Sequence, residues 1–198
     1  MPARHMPSNK TELAARIAAT KPNDGVRGLF FKVVFDLVAQ KAGAAALSQV
    51  RTGPLSKDLS ELRTYPASDY LTLLYAAADV LEEKLGPQDA VFNECGRACV
   101  RRFSAGPGQV VFGILGKGDP QRLFAQTRVA FSTVVTYGKR EHRAAGPKAC
   151  ILSYRGDMQP PAYHVGIFEG ALEALGFKGT VTAHPLNIDS VDYEIAWE

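Results

Sequence analysis

In residues 151–176, ILSYRGDMQPPAYHVGIFEGALEALG, an alternating segment passes through a proline pair into a segment of helical period whose glycines, Gly166 and Gly170, stand four apart. Alternation puts every second side chain on one face of a strand, and proline opens a helix but breaks one from inside. A strand, a turn and a helix therefore follow one another, and a sheet with at least one helix laid on it is imposed on the rest of the chain. Each glycine costs a helix about 1 kcal/mol relative to alanine, so two on one face need a packing reason. That reason is a close approach to another element of the same chain or a seam between two copies.

The alternation of KACILSYR recurs in VVTYGKREHR, in TVTAH and in VDYEIAW, where Val191, Tyr193, Ile195 and Trp197 share one face. With the helix over 162–175 between the second and third of these, the order is β-β-α-β-β, and short hairpin loops favour antiparallel pairing. Upstream of Val134 the period is helical instead. A short helix carries Leu13 and Ile17 and ends at Pro22 and Gly25; a second runs over 26–39, and a third, capped by Ser68 or Asp69, stops at Gly86-Pro87. Further helices are predicted over 88–103 and 107–115, and a last one, capped by Asp119 with Pro120 at its first position, carries Leu123, Phe124, Val129 and Phe131. The fold class is α+β: a helical N-terminal layer packed on an antiparallel four-stranded sheet. Residues 1–10 lack periodicity and are expected to form a flexible terminus, with 11–198 as a single domain.

Hydrophobic residues make up 46% of the 198 and charged residues 22%, the balance of a globular chain with a full core. A net charge of +3 is too small to argue for a polyanion partner. The basic groups Arg97, Arg101, Arg102, Lys139, Arg140 and Arg143 accompany no helix-turn-helix or aromatic-interleaved motif, so nucleic acid is not an expected partner. Arg27, Lys32, Asp36 and Lys41 interrupt the most hydrophobic window, which excludes a membrane span there. Glu12 and Arg16 likewise break any secretory hydrophobic run, and three cysteines suit reduced thiols; a cytoplasmic location is expected.

No strong catalytic or metal signature is present. The run 113–118, GILGKG, is neither GxGxxG nor GxxxxGK[ST] and joins helix to helix, so it reads as a turn. Cys95 and Cys99 lie one helical turn apart, but tetrahedral zinc needs four ligands, and buried thiols acting as small hydrophobes are the simpler account. His164, early in a helix, has no recognisable nucleophile or acid beside it in sequence.

Taken together, VRGLFF, YPASDYLTLLYAAADVL, GDPQRLF, TYG and the helix PPAYHVGIFEGALEALG make nearly everything after Leu13 resemble a myxobacterial paralogous family of proteins of this length. That family is remotely similar to 4-vinyl-reductase-like sensor domains, haem nitric-oxide-binding domains and a class of vesicle-trafficking proteins. The resemblance implies a helical layer, an antiparallel sheet and an internal apolar cavity. Laid on LFAQTRVAF, the haem relatives' FLxNLDxLH pattern puts Phe131 where the axial histidine stands. Their YxSxR element falls on 151–155, keeping Ser153 and Arg155 but replacing the tyrosine by Ile151. Relatives that bind zinc use cysteines near the end of the sheet, and HPLNIDSVDYEIAWE has none. The resemblance thus implies the cavity without haem or zinc.

The expected function is a non-enzymatic, ligand-binding or sensory domain needing no cofactor and no metal. Phe30, Leu74, Phe103, Phe131 and Phe168 are the candidate cavity wall, and Ser153 and Arg155 the candidate anchors for an anionic group. The expected partner is an apolar or anionic small molecule. The alternative is a protein-interaction module, homodimerising through the helix face that carries Gly166 and Gly170, and the third class is an enzyme built on His164 or the cysteine pair.

Overall fold

The computed structural model describes residues 9–104 and 118–198. The helix expected over 107–115 and most of 113–118 and 1–10 lie outside the described residues. Helix α1 (Asn9–Ala19) begins two residues inside the stretch expected to be flexible. Helix α2 (Gly28–Val50) runs past its expected end and is interrupted at Gly43, whose φ of 83° suits glycine alone. Helices α3 (Ala67–Leu85) and α4 (Gln88–Ser104) match their apolar periods. The cap of α3 differs from expectation: Pro66 stands at that position and makes no side-chain cap bond, while Ser68 and Asp69 lie inside the helix. The start is fixed from outside instead, since the Ala67 amide donates to the Asp24 carbonyl across the molecule at 2.9 Å.

Two three-residue strands, β1 (Gly25–Arg27) and β2 (Thr64–Pro66), pair antiparallel ahead of α2 and α3. They are too short to show a period, so nothing in the sequence pattern announced them. Beyond α4 come α5 (Pro120–Ala125) and α6 (Thr127–Ser132), where one helix was expected. The Asp119 cap is present, its carboxylate accepting from the Gln121 amide at 2.9 Å. Residues 134–138 do not begin the first long strand. Val135 instead bridges Val26 of β1, and Gly138, at a φ of 78°, turns the chain into β3 (Lys139–Gly146).

The C-terminal half is β3, β4 (Ala149–Arg155), α7 (Pro161–Ala174), β5 (Gly179–Asn187) and β6 (Ser190–Trp197). Strand order is β3-β4-β6-β5, antiparallel throughout. The β-β-α-β-β pattern therefore becomes two hairpins joined through α7, with the second strand of each in the centre. Leu152 pairs with Tyr193 and Tyr154 with Val191, and the alternation buries Cys150, Leu152, Tyr154, Val191, Tyr193, Ile195 and Trp197 on one face. Phe168, Ala171 and Leu172 of α7 and Phe124 of α5 cover that face. A second cluster, among them Phe31, Leu71, Leu74, Leu81 and Phe92, fills the space between α2, α3 and α4. Each such side chain contributes roughly 1.5–3 kcal/mol on leaving water. Helix α7 joins the two clusters by packing along α4.

A small-molecule cavity and the buried polar cluster beside it

Helices α4 and α7 touch through glycine. A Cβ on Gly166 would lie 1.9 Å from the Asn93 carbonyl oxygen, and one on Gly96 would lie 2.0 Å from that of Tyr163. Any side chain at these two positions forces the helices apart. Gly170 sits further along the same face, against Val100 and Arg97. The pair of glycines that the sequence singled out thus meets α4 of the same chain, and that face is not available as a seam between two copies.

On another side of α4 the packing opens. Phe30 of α2, Cys99, Val100 and Phe103 of α4, Phe131 of α6 and Ile167 of α7 surround a cavity of about 320 Å³, completed by Val26, Val129, Ala130, Val134 and Val135. Its wall is almost wholly apolar. Three hydroxyl or thiol groups on it are already engaged. The Tyr70 hydroxyl donates to Tyr163 Oη at 2.9 Å, Cys99 Sγ lies 3.3 Å from the same oxygen, and Thr133 Oγ1 donates to the Ala130 carbonyl at 2.7 Å. Burial pushes the Cys99 thiol up to about 11 against hydrogen bonds from Tyr163 and Tyr70 that pull it down, so the sulfur stays protonated at neutral pH. Gln159 also lines the cavity, and its Oε1 has no hydrogen-bond partner among the described residues.

Behind Phe131 lies a buried charged group. Arg140 of β3 pairs with Asp157, donates to the Tyr137 carbonyl at 2.8 Å, and stacks its guanidinium 4.6 Å from the Phe131 ring centre and 5.0 Å from that of Tyr154. His164 Nε2 is 3.2 Å from the other oxygen of Asp157, and its ring meets Tyr154 at 5.0 Å and Phe131 at 5.7 Å. Burial alone would push the Asp157 carboxyl up, but the facing charges of His164 and Arg140 hold it well below the usual carboxylate range. The sequence reading noted His164 and Arg140 separately. It missed Asp157, because the turn between β4 and α7 is what carries that side chain back between them.

The structure brings Phe30, Phe103 and Phe131 together on one wall, with the Phe30 and Phe103 rings 5.5 Å apart. Leu74 lies in the helical cluster and Phe168 in the sheet cluster, neither on the cavity. Ser153 and Arg155 depart furthest from expectation. On β4 they alternate with Leu152 and Tyr154, so they stand on the opposite face of the sheet from α7. There Arg155 donates to Asp192 Oδ1 at 2.7 Å and to the Val191 carbonyl at 3.1 Å, and these two residues do not anchor anything in the cavity. Other basic groups are also matched within the chain: Arg97 with Glu169 and Glu173, Arg101 with Glu94, Arg102 with Glu61. Cys95 and Cys99 are buried, and no three potential ligands converge as a metal site among the described residues. No described helix is long and apolar enough to cross a membrane.

A larger groove of about 940 Å³ runs past Glu12, Arg16, Asp89, Val165 and the β5–β6 turn. Its buried cation is fully engaged: Arg16 binds Glu12, the Tyr75 hydroxyl and the carbonyls of Met158, Gln159 and Ile188. None of the unpartnered buried polar atoms belongs to its lining. Size alone therefore does not make it the better site; the smaller apolar cavity carries both the aromatic wall and the unmet acceptor.

The chain belongs to the protein family of unknown function DUF2378, whose match spans residues 19–198. No curated protein matches it. Among solved structures it is similar to an Fe(II) unliganded H-NOX protein from K. algicida, with a TM-score of 0.70 at 13% identity over 87% of this chain and 96% of that one. An H-NOX protein from S. oneidensis in the Fe(II)NO state gives 0.65 at 13% identity over 87% and 99%. The H-NOX from Shewanella woodyi in the Fe(II)CO state gives 0.64 at 14% identity over 85% and 93%. At these identities the likeness is one of fold.

Proposed function

We propose that the chain is a non-enzymatic, small-molecule-binding domain of the sensory type, with its ligand in the cavity between α2, α4, α6 and α7. The observation that carries this reading is the wall itself. Phe30, Phe103 and Phe131 come from three separate elements, yet they leave about 320 Å³ between them in a chain that elsewhere presses helices into backbone contact. A pre-formed apolar hollow with few polar groups is the usual shape of a small-ligand site. The H-NOX proteins of like fold are described in iron-ligated states, which supports a ligand-holding role for this architecture.

The residues present do not fit a haem held by iron. Haem proteins hold the metal through histidine, thiolate, methionine or tyrosinate. On the described wall of this cavity there is no histidine, and Phe131 occupies the position that the resemblance assigns to the axial one. Cys99 is a protonated thiol, burial pushes the Tyr163 hydroxyl well above its ordinary range, and His164 turns to Asp157. The same facts speak against catalysis. No described nucleophile and base face the cavity together, since His164 is sealed behind Phe131 and the Cys99 sulfur rests on a tyrosine.

Native mass spectrometry of freshly purified protein tests the reading. A retained small molecule is expected, and it should be lost from Phe103→Trp, which fills the hollow, but kept by Arg155→Ala, whose side chain lies on the far face of the sheet. Titration with haemin should give no sharp Soret band. A ligand kept by Phe103→Trp would remove the cavity from the account, and a stoichiometric Soret band would overturn the exclusion of haem.

A further inference from the structure

We infer that the cavity selects an uncharged, largely apolar molecule carrying a single O–H or N–H donor, which is read by the side-chain carbonyl of Gln159; this rests on the cavity being the ligand site. Two observations carry it. The first is that no Asp, Glu, Lys, Arg or His stands on the described wall. A charged ligand entering there would give up its water with no counter-ion to meet it. Arg140 is close, but Phe131 lies between it and the hollow, and its charge is already matched by Asp157.

The second is the state of Gln159. The residue is only 3% exposed. Its backbone is pinned at both ends of the amide system: the N–H donates to Asp157 Oδ1 at 3.2 Å, and the carbonyl accepts from Arg16 Nη1 at 3.3 Å. The side chain is thereby presented at the cavity from a fixed turn between β4 and α7, yet Oε1 receives no hydrogen bond from any described residue. Buried amide oxygens are nearly always satisfied, and one left open on a hollow asks for a donor from the occupant. The other polar groups of the wall, Tyr163, Cys99 and Thr133, are spoken for, so one donor is the number the site can use. A site with a built-in acceptor discriminates sharply against analogues that lack the donor.

Three probes of one shape separate the possibilities at neutral pH: 1-naphthol, naphthalene and 1-naphthoate, measured by equilibrium dialysis against the full chain. The native protein should bind 1-naphthol at least about fivefold more tightly than naphthalene, the factor that one satisfied hydrogen bond supplies. It should bind 1-naphthoate more weakly than either. In Gln159→Leu the preference for 1-naphthol should vanish while naphthalene binding persists, with Trp197 fluorescence melting reporting that the variant is folded. Equal binding of 1-naphthol and naphthalene by the native chain overturns the donor, and tight binding of 1-naphthoate overturns the neutrality; both leave the cavity reading intact. A preference for 1-naphthol that survives in Gln159→Leu removes Gln159 as the reader. Failure of all three probes to bind the native protein sinks the cavity reading and this inference with it.

Discussion

Helix α4 meets its neighbours in two opposite ways. Along the side that carries Gly96 it lies against α7 so closely that a Cβ at Gly96 or Gly166 would fall within 2.0 Å of a backbone oxygen. Along the side that carries Cys99 and Phe103 it stands back, and about 320 Å³ is left beside large aromatic rings. Protein interiors are close-packed, so a hollow beside a seam this tight is not general looseness. The contrast teaches that the chain holds its two halves rigidly at one line of contact, which frees the adjacent space from a packing role.

Four substitutions break or sharpen this contrast. The largest effect is expected at the support behind the hollow. Asp157→Ala leaves Arg140 and His164 buried without their shared partner, and such a loss costs about 3–5 kcal/mol, read by urea unfolding monitored at Trp197. The same carboxylate makes stability pH-dependent. Because its folded pKa is held below the unfolded value, its contribution is fully present above about pH 4 and lost as pH falls further. Asp157→Asn should therefore show a shallower loss of stability on acidification than the native chain, and an equally steep acid limb would deny Asp157 this part. Next comes the seam. Gly166→Ala should cost about 3 kcal/mol by overpacking, lowering Tm by roughly 6–12 °C in calorimetry, despite alanine's better helix propensity. Near-native Tm for this variant would mean that the two helices are not in backbone contact.

Filling the hollow should act in the other direction. Phe103→Trp is expected to raise stability by about 0.5–1 kcal/mol, as cavity-filling changes commonly do, while abolishing ligand retention. A destabilisation of the size expected for Gly166→Ala would show that no space exists there. The smallest effect belongs to Gly170→Ala. A Cβ there would stand 3.3 Å from that of Val100, so a modest crowding cost and the gain in helix propensity should cancel to within about 0.5 kcal/mol.

Much of the architecture was legible because it rests on periods. The sheet strands alternate cleanly over seven to nine residues, and Val191, Tyr193, Ile195 and Trp197 are buried together as their spacing requires. The breaks at Gly86 and Asp119-Pro120 are local chemistry and fell where expected. The short β1–β2 ladder was illegible because three residues carry no period, and the cap of α3 because its start is set by Asp24, far away in sequence. Of the candidate site, the aromatic residues that reach the cavity were found through the resemblance, while Gln159 gave no signal at all. A glutamine in a turn looks solvated until the tertiary structure closes over it.

Ser153 and Arg155 show the limit most clearly. Their place on a strand was correct, but a strand has two faces, and which one looks inward is decided by what packs on it.

The sequence by itself determined the order of elements, the antiparallel sheet, the close helix contact implied by Gly166 and Gly170, and the absence of the histidine that the resemblance requires for iron. Each of these depends on residues near one another along the chain or on the identity of a single side chain. The tertiary structure alone decided that the glycines meet α4, that Asp157 joins Arg140 to His164, and that Gln159 opens on a hollow with its acceptor unmet. Those are relations between distant segments, and burial, which gives an unpaired charge or carbonyl its energetic weight, exists only once the segments have come together.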